Sequence, residues 1–379
     1  MSDYQVIATR GDLDSLVQDL LAEKVLGFDT EADSFYHYYD KTCLVQVATR
    51  RNVYLIDPLS LGGPAELAPL APVFAAPEIR KIFHAAEYDL YVLKRDCSFE
   101  FHGLFDTMIS AQLLGYPSIG LASLGERHFG VKLPKDEQRS DWSRRPLTPA
   151  QLTYAAADAL YLIPLAEKLE KELRKAKRLR WAQEDFEVLE RRVWPEREFD
   201  DYGYLRIKGA RSMDPRNLSI LRELFLMRDP RARELDRPPF KVIGNRTLME
   251  IAQAAPTKRA DLAAIKGITE LLLRRMGREL MTAIRTGRKT EHGPLPKPPS
   301  SGRRRMDRHA ERRLVALKKW RTALAKDIAL DPGVLCPNAA LEAIASHAPT
   351  NTAELGEIPE LKGWFVRDFG SQVLAVEEE

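Results

Sequence analysis

Strand-like and helix-like segments alternate only over the first 170 or so residues of this 379-residue chain. Four short apolar runs predict strands: 25–28, 44–48, 53–56 and 82–84. Helix-like stretches such as 87–95 and 107–114 lie between or after them, an order typical of an α/β domain. Thr148 and Pro149 are typical of a helix start, and the alanine- and leucine-rich stretch 150–173 then predicts one long helix. We therefore expect an α/β domain followed by helical modules.

The remainder of the chain predicts two copies of one helical module. Residues 248–252 (LMEIA) resemble 341–345 (LEAIA), and an Ala-Pro pair follows each of them. A stretch rich in proline, glycine and arginine separates the two copies. The predicted division is an α/β domain over 1–174, a helical connector over 175–205, a first module over 206–289, a linker over 290–306 and a second module over 307–379.

Composition restricts the class of protein. The chain is 44% hydrophobic and 30% charged, which excludes a disordered or fibrous chain. No apolar run approaches the roughly 18 residues of a membrane span. The three cysteines include no CxxC pair, so the sequence suggests neither a disulfide framework nor a thiolate zinc site. We expect a soluble protein of the reducing cytoplasm.

The net charge of +3 conceals a strong sorting of charge along the chain. Residues 206–326 hold 31 Lys and Arg against 12 Asp and Glu, whereas residues 327–379 hold 2 against 10. A dense positive segment is the electrostatic footprint of a protein that binds a phosphate backbone. A solvated helix face that binds nothing is the alternative.

Two carboxylates stand two residues apart at the end of a strand-like run. Asp29 and Glu31 follow the apolar residues 25–28, and side chains two apart on a strand share a face. Carboxylates this close repel each other unless a cation lies between them, and Mg²⁺ or Mn²⁺ prefers such oxygen ligands. For residues 29–31 (DTE) taken alone, an exposed strand end is the structural alternative.

Later helix-like stretches add three further polar groups. Asp89 stands near the start of a helix, where an acid that merely stabilises the helix dipole is the structural alternative. Tyr154 and Asp158 stand four apart and share a helix face, with alanines between them that allow close packing. A core tyrosine with a surface aspartate is the alternative for that pair. The order and separation of these elements favour one common site.

This set resembles the DEDD exonucleases, in the subclass whose third motif carries tyrosine. The resemblance extends to 81–86 (KIFHAA), 105–107 (FDT) and the run 140–148 (SDWSRRPLT) that leads into 154–158 (YAAAD). Together with the two helical copies, which resemble HRDC domains, it points to the bacterial ribonuclease D family. The resemblance implies an α/β ribonuclease H-like (DnaQ-like) exonuclease domain with a mixed sheet, followed by two all-α HRDC-like domains.

The resemblance also implies an activity. Its carboxylates would be Asp29, Glu31, Asp89 and Asp158, holding two divalent ions, Mg²⁺ or Mn²⁺, around the scissile phosphate. Tyr154 would orient the attacking water, because a phenol is a poor base at neutral pH. The expected substrate is RNA, especially tRNA precursors with 3′ extensions, and the expected products are 5′-mononucleotides.

Substrate contacts are expected from two further groups of residues. Thr30, His84 and Gln46 lie near the motifs and could touch the terminal nucleotide, or they could be satisfied buried polar groups. The basic first module and the linker arginines would contact phosphates without reading sequence. Those linker residues are Arg303, Arg304 and Arg305. The acidic second module is expected to act structurally.

Three other functions fit parts of the pattern. A DNA exonuclease could use the same metal site, since the site alone does not read the 2′-hydroxyl. An inactive nucleic-acid adaptor would use the helical modules but has no need of the complete carboxylate set. A glycosidase with paired acids predicts metal independence and leaves the basic block without a role.

Overall fold

The computed structural model describes residues 4–195, 198–290 and 306–376. These residues form two compact units. The first unit holds the described residues of 1–32, 41–194 and 304–379, and the second holds those of 33–40 and 195–303. This grouping differs from the sequence-based division, which treats 175–205 as a connector and 307–379 as a separate module.

A six-stranded mixed sheet lies at the centre of the first unit. Its strands are β1 (Tyr4–Ile7), β2 (Val25–Ala32), β3 (Thr42–Ala48), β4 (Val53–Ile56), β5 (Arg80–Phe83) and β6 (Leu104–Asp106). Their order is β1-β4-β3-β2-β5-β6. Strand β3 runs antiparallel to both of its neighbours, whereas β1 with β4, β2 with β5 and β5 with β6 are parallel pairs. The four predicted strands are present, and the two that the sequence did not reveal are the short edge strands β1 and β6.

Helices cover both faces of this sheet. Those that precede residue 195 are α1 (Arg10–Ala22), α2 (Pro58–Leu61), α3 (Ala71–Ala75), α4 (Glu87–Cys97), α5 (Thr107–Leu113), α6 (Leu121–Phe129), α7 (Pro149–Leu160), α8 (Leu162–Lys175) and α9 (Leu179–Arg191). On one face Phe28 of β2 packs against Phe74 and Phe83, with ring centroids 4.7 and 5.6 Å away. On the other face the alanines of α7 pack against β3 and β4.

The long helix predicted over 150–173 is in fact two helices. Its predicted start is confirmed, because the Thr148 side chain accepts a hydrogen bond from the backbone N–H of Gln151, and the Gln151 side chain accepts one from the backbone N–H of Thr148 in a complete capping box. Helix α7 nevertheless ends at Leu160, and α8 begins at Leu162. Pro164 explains the break, because its ring clashes with the carbonyl four residues earlier and removes one helical hydrogen bond.

The two helical copies repeat element by element. The first comprises α10 (Pro215–Glu234), α11 (Pro239–Val242), α12 (Asn245–Ala254), α13 (Arg259–Ala263) and α14 (Glu270–Lys289). The second comprises α15 (Arg308–Asp327), α16 (Pro332–Leu335), α17 (Asn338–His347), α18 (Thr352–Gly356) and α19 (Gly363–Leu374). Each helix of the second copy starts 93 residues after its counterpart. Even the left-handed residue that ends α12, Ala255, recurs as Ala348 after α17.

A repeated arginine contact fixes the same turn in both copies. Arg228 of α10 donates to the Ile243 carbonyl at 2.9 Å, and Arg321 of α15 donates to the Cys336 carbonyl at 2.6 Å. A guanidinium suits this role because it supplies several donors to backbone acceptors at a helix end. The repeat is therefore one of side-chain function as well as of helix order.

The second copy shares its hydrophobic core with the α/β domain. Trp364 of α19 is fully buried and stacks on Trp181 of α9, with ring centroids 4.4 Å apart. Asp185 of α9 accepts hydrogen bonds from the Trp364 indole at 3.0 Å and from the Lys362 ammonium at 2.7 Å. Helix α9, which belongs to the predicted connector, thus joins the C-terminal copy to the rest of the first unit. Among the described residues, every helix is too short or too polar to cross a membrane.

Candidate active site

The site forms where β2 and α7 approach closely. Asp29 and Glu31 share a face of β2 with Gly27. A Cβ atom at Gly27 would lie 3.1 Å from the Leu162 Cβ atom and 3.3 Å from the Ala159 carbonyl oxygen, so the glycine permits the close approach. The fully buried alanines of α7 have the same effect on the helix side.

The run 140–148 holds α7 in place. The Arg145 guanidinium donates two hydrogen bonds of 2.7 Å to the Asp57 carboxylate and a third to the Cys43 carbonyl. The side-chain amide of Gln151, in the first turn of α7, donates a hydrogen bond to the Ser140 hydroxyl at 2.9 Å. These contacts give a physical role to the stretch that carries the strongest family resemblance.

Three carboxylates converge at this junction. Asp29, Glu31 and Asp158 each offer an oxygen, and the three oxygens all lie within 4.8 Å of one another. Asp89 joins them from the N-terminal turn of α4, where its carboxylate accepts a 2.6 Å hydrogen bond from the Thr30 hydroxyl. Oxygen ligands at this spacing suit a divalent ion such as Mg²⁺ or Mn²⁺. The structure therefore brings three of the predicted carboxylates within ligand distance of one another, and Asp89 lies close enough to raise the pKa of Asp29 and Glu31.

Burial raises the pKa of every carboxyl in the cluster. Burial is the largest cause for each of them, and repulsion from neighbouring carboxylates adds to it for Asp29 and Glu31. The pKa rises to about 7 for Asp89 and to about 6 for Asp158. In the absence of a cation the cluster thus holds protons that a solvent-exposed carboxyl would lose. A bound divalent ion would stabilise the ionised forms.

Tyr154 lies on the same face of α7 as Asp158. Its hydroxyl hydrogen-bonds to the Asp158 carboxylate, and burial is the largest cause of its raised pKa. The ring packs against Trp142 with centroids 6.0 Å apart. The phenol is therefore protonated at neutral pH, and it can position a polar group without acting as a base.

A cleft of about 470 Å³ opens onto these carboxylates. Thr30 and His84, both predicted substrate contacts, line it. The His84 ring lies 2.9 Å from the Thr107 hydroxyl, and burial lowers its pKa to about 4, so the imidazole is neutral at physiological pH. Gln46 is fully buried in β3 and does not line the cleft. The predicted contacts Arg303, Arg304 and Arg305 lie outside the described residues.

Three further polar side chains line the cleft without having been predicted from the sequence. They are Ser123 of α6 and Lys135 and Gln138 of the segment between α6 and α7. No spacing or motif marks them, because they reach the cleft from a helix start and an irregular segment. Lys135 supplies a cation to the lining of this cleft, where a substrate phosphate would need neutralisation.

The raised pKa values predict how stability depends on pH in the metal-free protein. A carboxyl with a higher pKa in the folded state stabilises the fold fully below its unfolded pKa, near 4, and loses that contribution as the pH rises through 6 to 7. An Asp158→Asn variant lacks one of these groups. We expect the Tm of the metal-free variant to rise relative to the wild type as the pH increases from about 4 to about 6, and the difference to stay constant above that, as measured by thermal unfolding after dialysis against a chelator. Parallel curves would contradict the pKa assignment.

Comparison with known proteins agrees with this geometry. A model described as "3'-5' exonuclease" matches residues 4–174, and an HRDC domain model matches 217–284 and 310–376. Ribonuclease D of Desulfotalea psychrophila is 30% identical over 88% of each chain. Ribonuclease D of Cronobacter turicensis is 32% identical over 77% of this chain and 78% of the relative.

Solved structures give the same result. Escherichia coli RNase D, described as an exoribonuclease involved in structured RNA processing, matches 98% of this chain and 97% of its own length, with a TM-score of 0.69 and 27% identity. The catalytic core of RRP6 from Trypanosoma brucei matches 76% of this chain and 80% of its own length, with the same TM-score and 28% identity.

The fold and the carboxylate cluster define a 3′–5′ exonuclease of the DnaQ-like class, whose members use divalent metal ions. Two HRDC domains follow its catalytic domain, an arrangement that implies binding to nucleic acid. The chain belongs to the ribonuclease D family and is a 3′–5′ exoribonuclease.

Proposed function

We propose that this exoribonuclease trims the 3′ ends of structured RNA, such as tRNA precursors, by a two-metal-ion mechanism. The observation that carries the proposal is the convergence of carboxylate oxygens from Asp29, Glu31 and Asp158, which lie within 4.8 Å of one another. Asp89 accepts a hydrogen bond from Thr30, the residue between Asp29 and Glu31. Four carboxylates balance the charge of two divalent ions. The cleft beside them has a volume in the range of small-molecule sites, enough for a terminal nucleotide.

Two divalent ions at this site would activate the attacking water and stabilise the departing 3′ oxygen. The chain's own residues would hold the ions, orient the water and contact the substrate. Asp29, Glu31, Asp89 and Asp158 hold the ions, and the Tyr154 hydroxyl, anchored to Asp158, keeps the water in line with the scissile bond. Thr30 and neutral His84 contact the terminal nucleotide. The released product is a 5′-mononucleotide.

The basic first HRDC domain would supply affinity for the RNA backbone. Exposed cations at helical spacing mark one face of α14, and none of them has an ion-pair partner among the described residues. They are Arg274, Arg278, Arg285 and Lys289. Contacts of this kind are sequence-independent, which fits an enzyme that shortens many 3′ ends. We also place the enzyme in the cytoplasm, where RNA precursors are processed.

Removing two cations from this face should lower the salt sensitivity of RNA binding. Each phosphate contact contributes about one unit to the slope of log K against log salt concentration, so an Arg278→Gln, Arg285→Gln variant should lose about two units. The measurement is fluorescence anisotropy of a labelled RNA in EDTA over a series of salt concentrations. Arg51→Gln, an exposed arginine at the β3–β4 turn, is the control. An unchanged slope in the double variant would exclude this face.

The substrate class is tested by competition. A tRNA precursor with a short 3′ extension is incubated with enzyme and Mg²⁺ in the presence of excess single-stranded RNA or its DNA counterpart. We expect trimming to the end of the structured region, inhibition by the RNA and little inhibition by the DNA. Equal inhibition by DNA would favour a general 3′–5′ exonuclease, because a site that ignores the 2′-hydroxyl does not distinguish the two.

A further inference from the structure

Gln46 has a buried side-chain amide with no hydrogen-bond partner. The residue is fully buried, and neither Oε1 nor Nε2 makes a hydrogen bond. Among the described residues it is the one side chain with two such atoms. Buried polar groups in proteins are nearly always paired, so an orphaned amide in a sheet core indicates a partner that binds under other conditions.

The sheet register places this amide beside a predicted metal ligand. Gln46 of β3 lies directly opposite Asp29 of β2, and opposed residues of antiparallel strands share a face. Its other neighbours on that face are apolar: Leu44 and Ala48 along β3, and Leu55 on β4. Buried alanines of α7 belong to the same cluster. Asp29 is therefore the polar residue among the neighbours of Gln46 within the sheet.

We propose that Gln46 is a positioning residue, whose amide donates a hydrogen bond to the Asp29 carboxylate when the site holds a divalent ion. The proposal rests on the metal site of the proposed function. A ligating carboxylate gives one oxygen to the ion and leaves the other in need of a donor, and loss of such a donor typically lowers metal affinity by 10- to 100-fold. Gln46 thus acts on the metal site and not as the substrate contact that the sequence suggested.

The test separates this role from an ordinary core position. Gln46→Met keeps the length and shape of the side chain but removes both polar atoms. We expect metal-free Gln46→Met to unfold at the same temperature as the wild type or higher, because an orphaned amide is lost. Its Mn²⁺ affinity, measured by calorimetry and by the Mn²⁺-dependent rise in Tm, should fall at least about tenfold. Leu44→Met is the matched control, because Leu44 lies two residues before Gln46 on the same face of β3. This variant should keep wild-type affinity.

An unchanged Mn²⁺ affinity in Gln46→Met, or a loss no larger than in Leu44→Met, would overturn the inference. If Gln46→Met does not fold, Gln46→Leu decides, because its shorter apolar side chain also removes both polar atoms. We then expect the same loss of affinity, and wild-type affinity would overturn the inference. A wild-type protein that binds no Mn²⁺ would instead contradict the metal site of the proposed function.

Discussion

Replacing Asp29 or Asp158 with asparagine should abolish RNA turnover, with a loss on the order of ten-thousandfold, the size seen when a central catalytic group is removed. Each substitution keeps the shape of the side chain but removes one charge that balances the divalent ions. Because burial raises the pKa of both carboxyls, their loss should not destabilise the metal-free fold. The measurement is the initial rate of nucleotide release under saturating Mg²⁺.

The control for these variants is Asp19→Asn, an exposed acid of α1 that does not line the cleft. We expect wild-type turnover from it. RNA affinity in EDTA should be unchanged in all three variants, because phosphate contacts are assigned to the first HRDC domain. Substantial turnover in Asp29→Asn or Asp158→Asn would exclude the assigned site, whereas lost RNA binding would show that these carboxylates also support the fold.

Trp364→Ala should lower the free energy of unfolding by about 3–5 kcal/mol, the usual loss for a buried tryptophan. Trp364 is fully buried, stacks on Trp181 and donates to Asp185, so truncation leaves a cavity and removes one of the two hydrogen bonds to that carboxylate. The loss should fall on the first compact unit, since the second HRDC domain shares its core. Urea denaturation followed by circular dichroism measures it.

Val315→Ala is the matched control for this prediction. Val315 lies on α15 of the same HRDC domain, but 66% of its surface is exposed, and we expect a change within about 0.5 kcal/mol. A Trp364→Ala protein with wild-type stability would mean that the C-terminal domain contributes little to the exonuclease unit. The division into separate modules drawn from the sequence would then be the better description.

The sequence predicts the parts of the fold that depend on local periodicity. Strands β2 to β5, the capped start of α7 and the two helical copies all follow from apolar spacing, capping residues and repeats. Pro164 carried the signal for the helix break, although the apolar pattern runs through it. The edge strand β1 buries only one of its four residues, and β6 has only three residues, so neither contains a distinct apolar run.

Tertiary grouping lies beyond such patterns. The segment 33–40 belongs to the second compact unit because its His37 ring lies 2.6 Å from the Asp236 carboxylate, a pairing of residues 199 apart. The packing of Trp181 on Trp364 joins residues 183 apart in sequence. Neither pair has a spacing that indicates contact, since shape complementarity between distant segments leaves no periodic trace.

The candidate site likewise contains residues that the sequence predicted and residues that only the structure reveals. The sequence predicted five site residues because their types and order resemble the motifs of the family, and strand and helix periodicity is compatible with one shared site. They are Asp29, Glu31, Asp89, Tyr154 and Asp158. Lys135 and Gln138 lie in an irregular segment, where no periodicity indicates which side chains face the cleft. Gln46 was singled out for its closeness in sequence to the motifs, whereas its burial and its register opposite Asp29 required the structure.

The most direct test is incubation of the protein with a 5′-labelled single-stranded RNA and its DNA counterpart, with Mg²⁺, with Mn²⁺ and with EDTA. We predict a ladder that shortens from the 3′ end on RNA, requires either metal ion, releases 5′-mononucleotides and disappears in EDTA. A ladder that persists in EDTA would contradict the metal-dependent mechanism. Binding to RNA with no shortening under any condition would contradict the exonuclease itself.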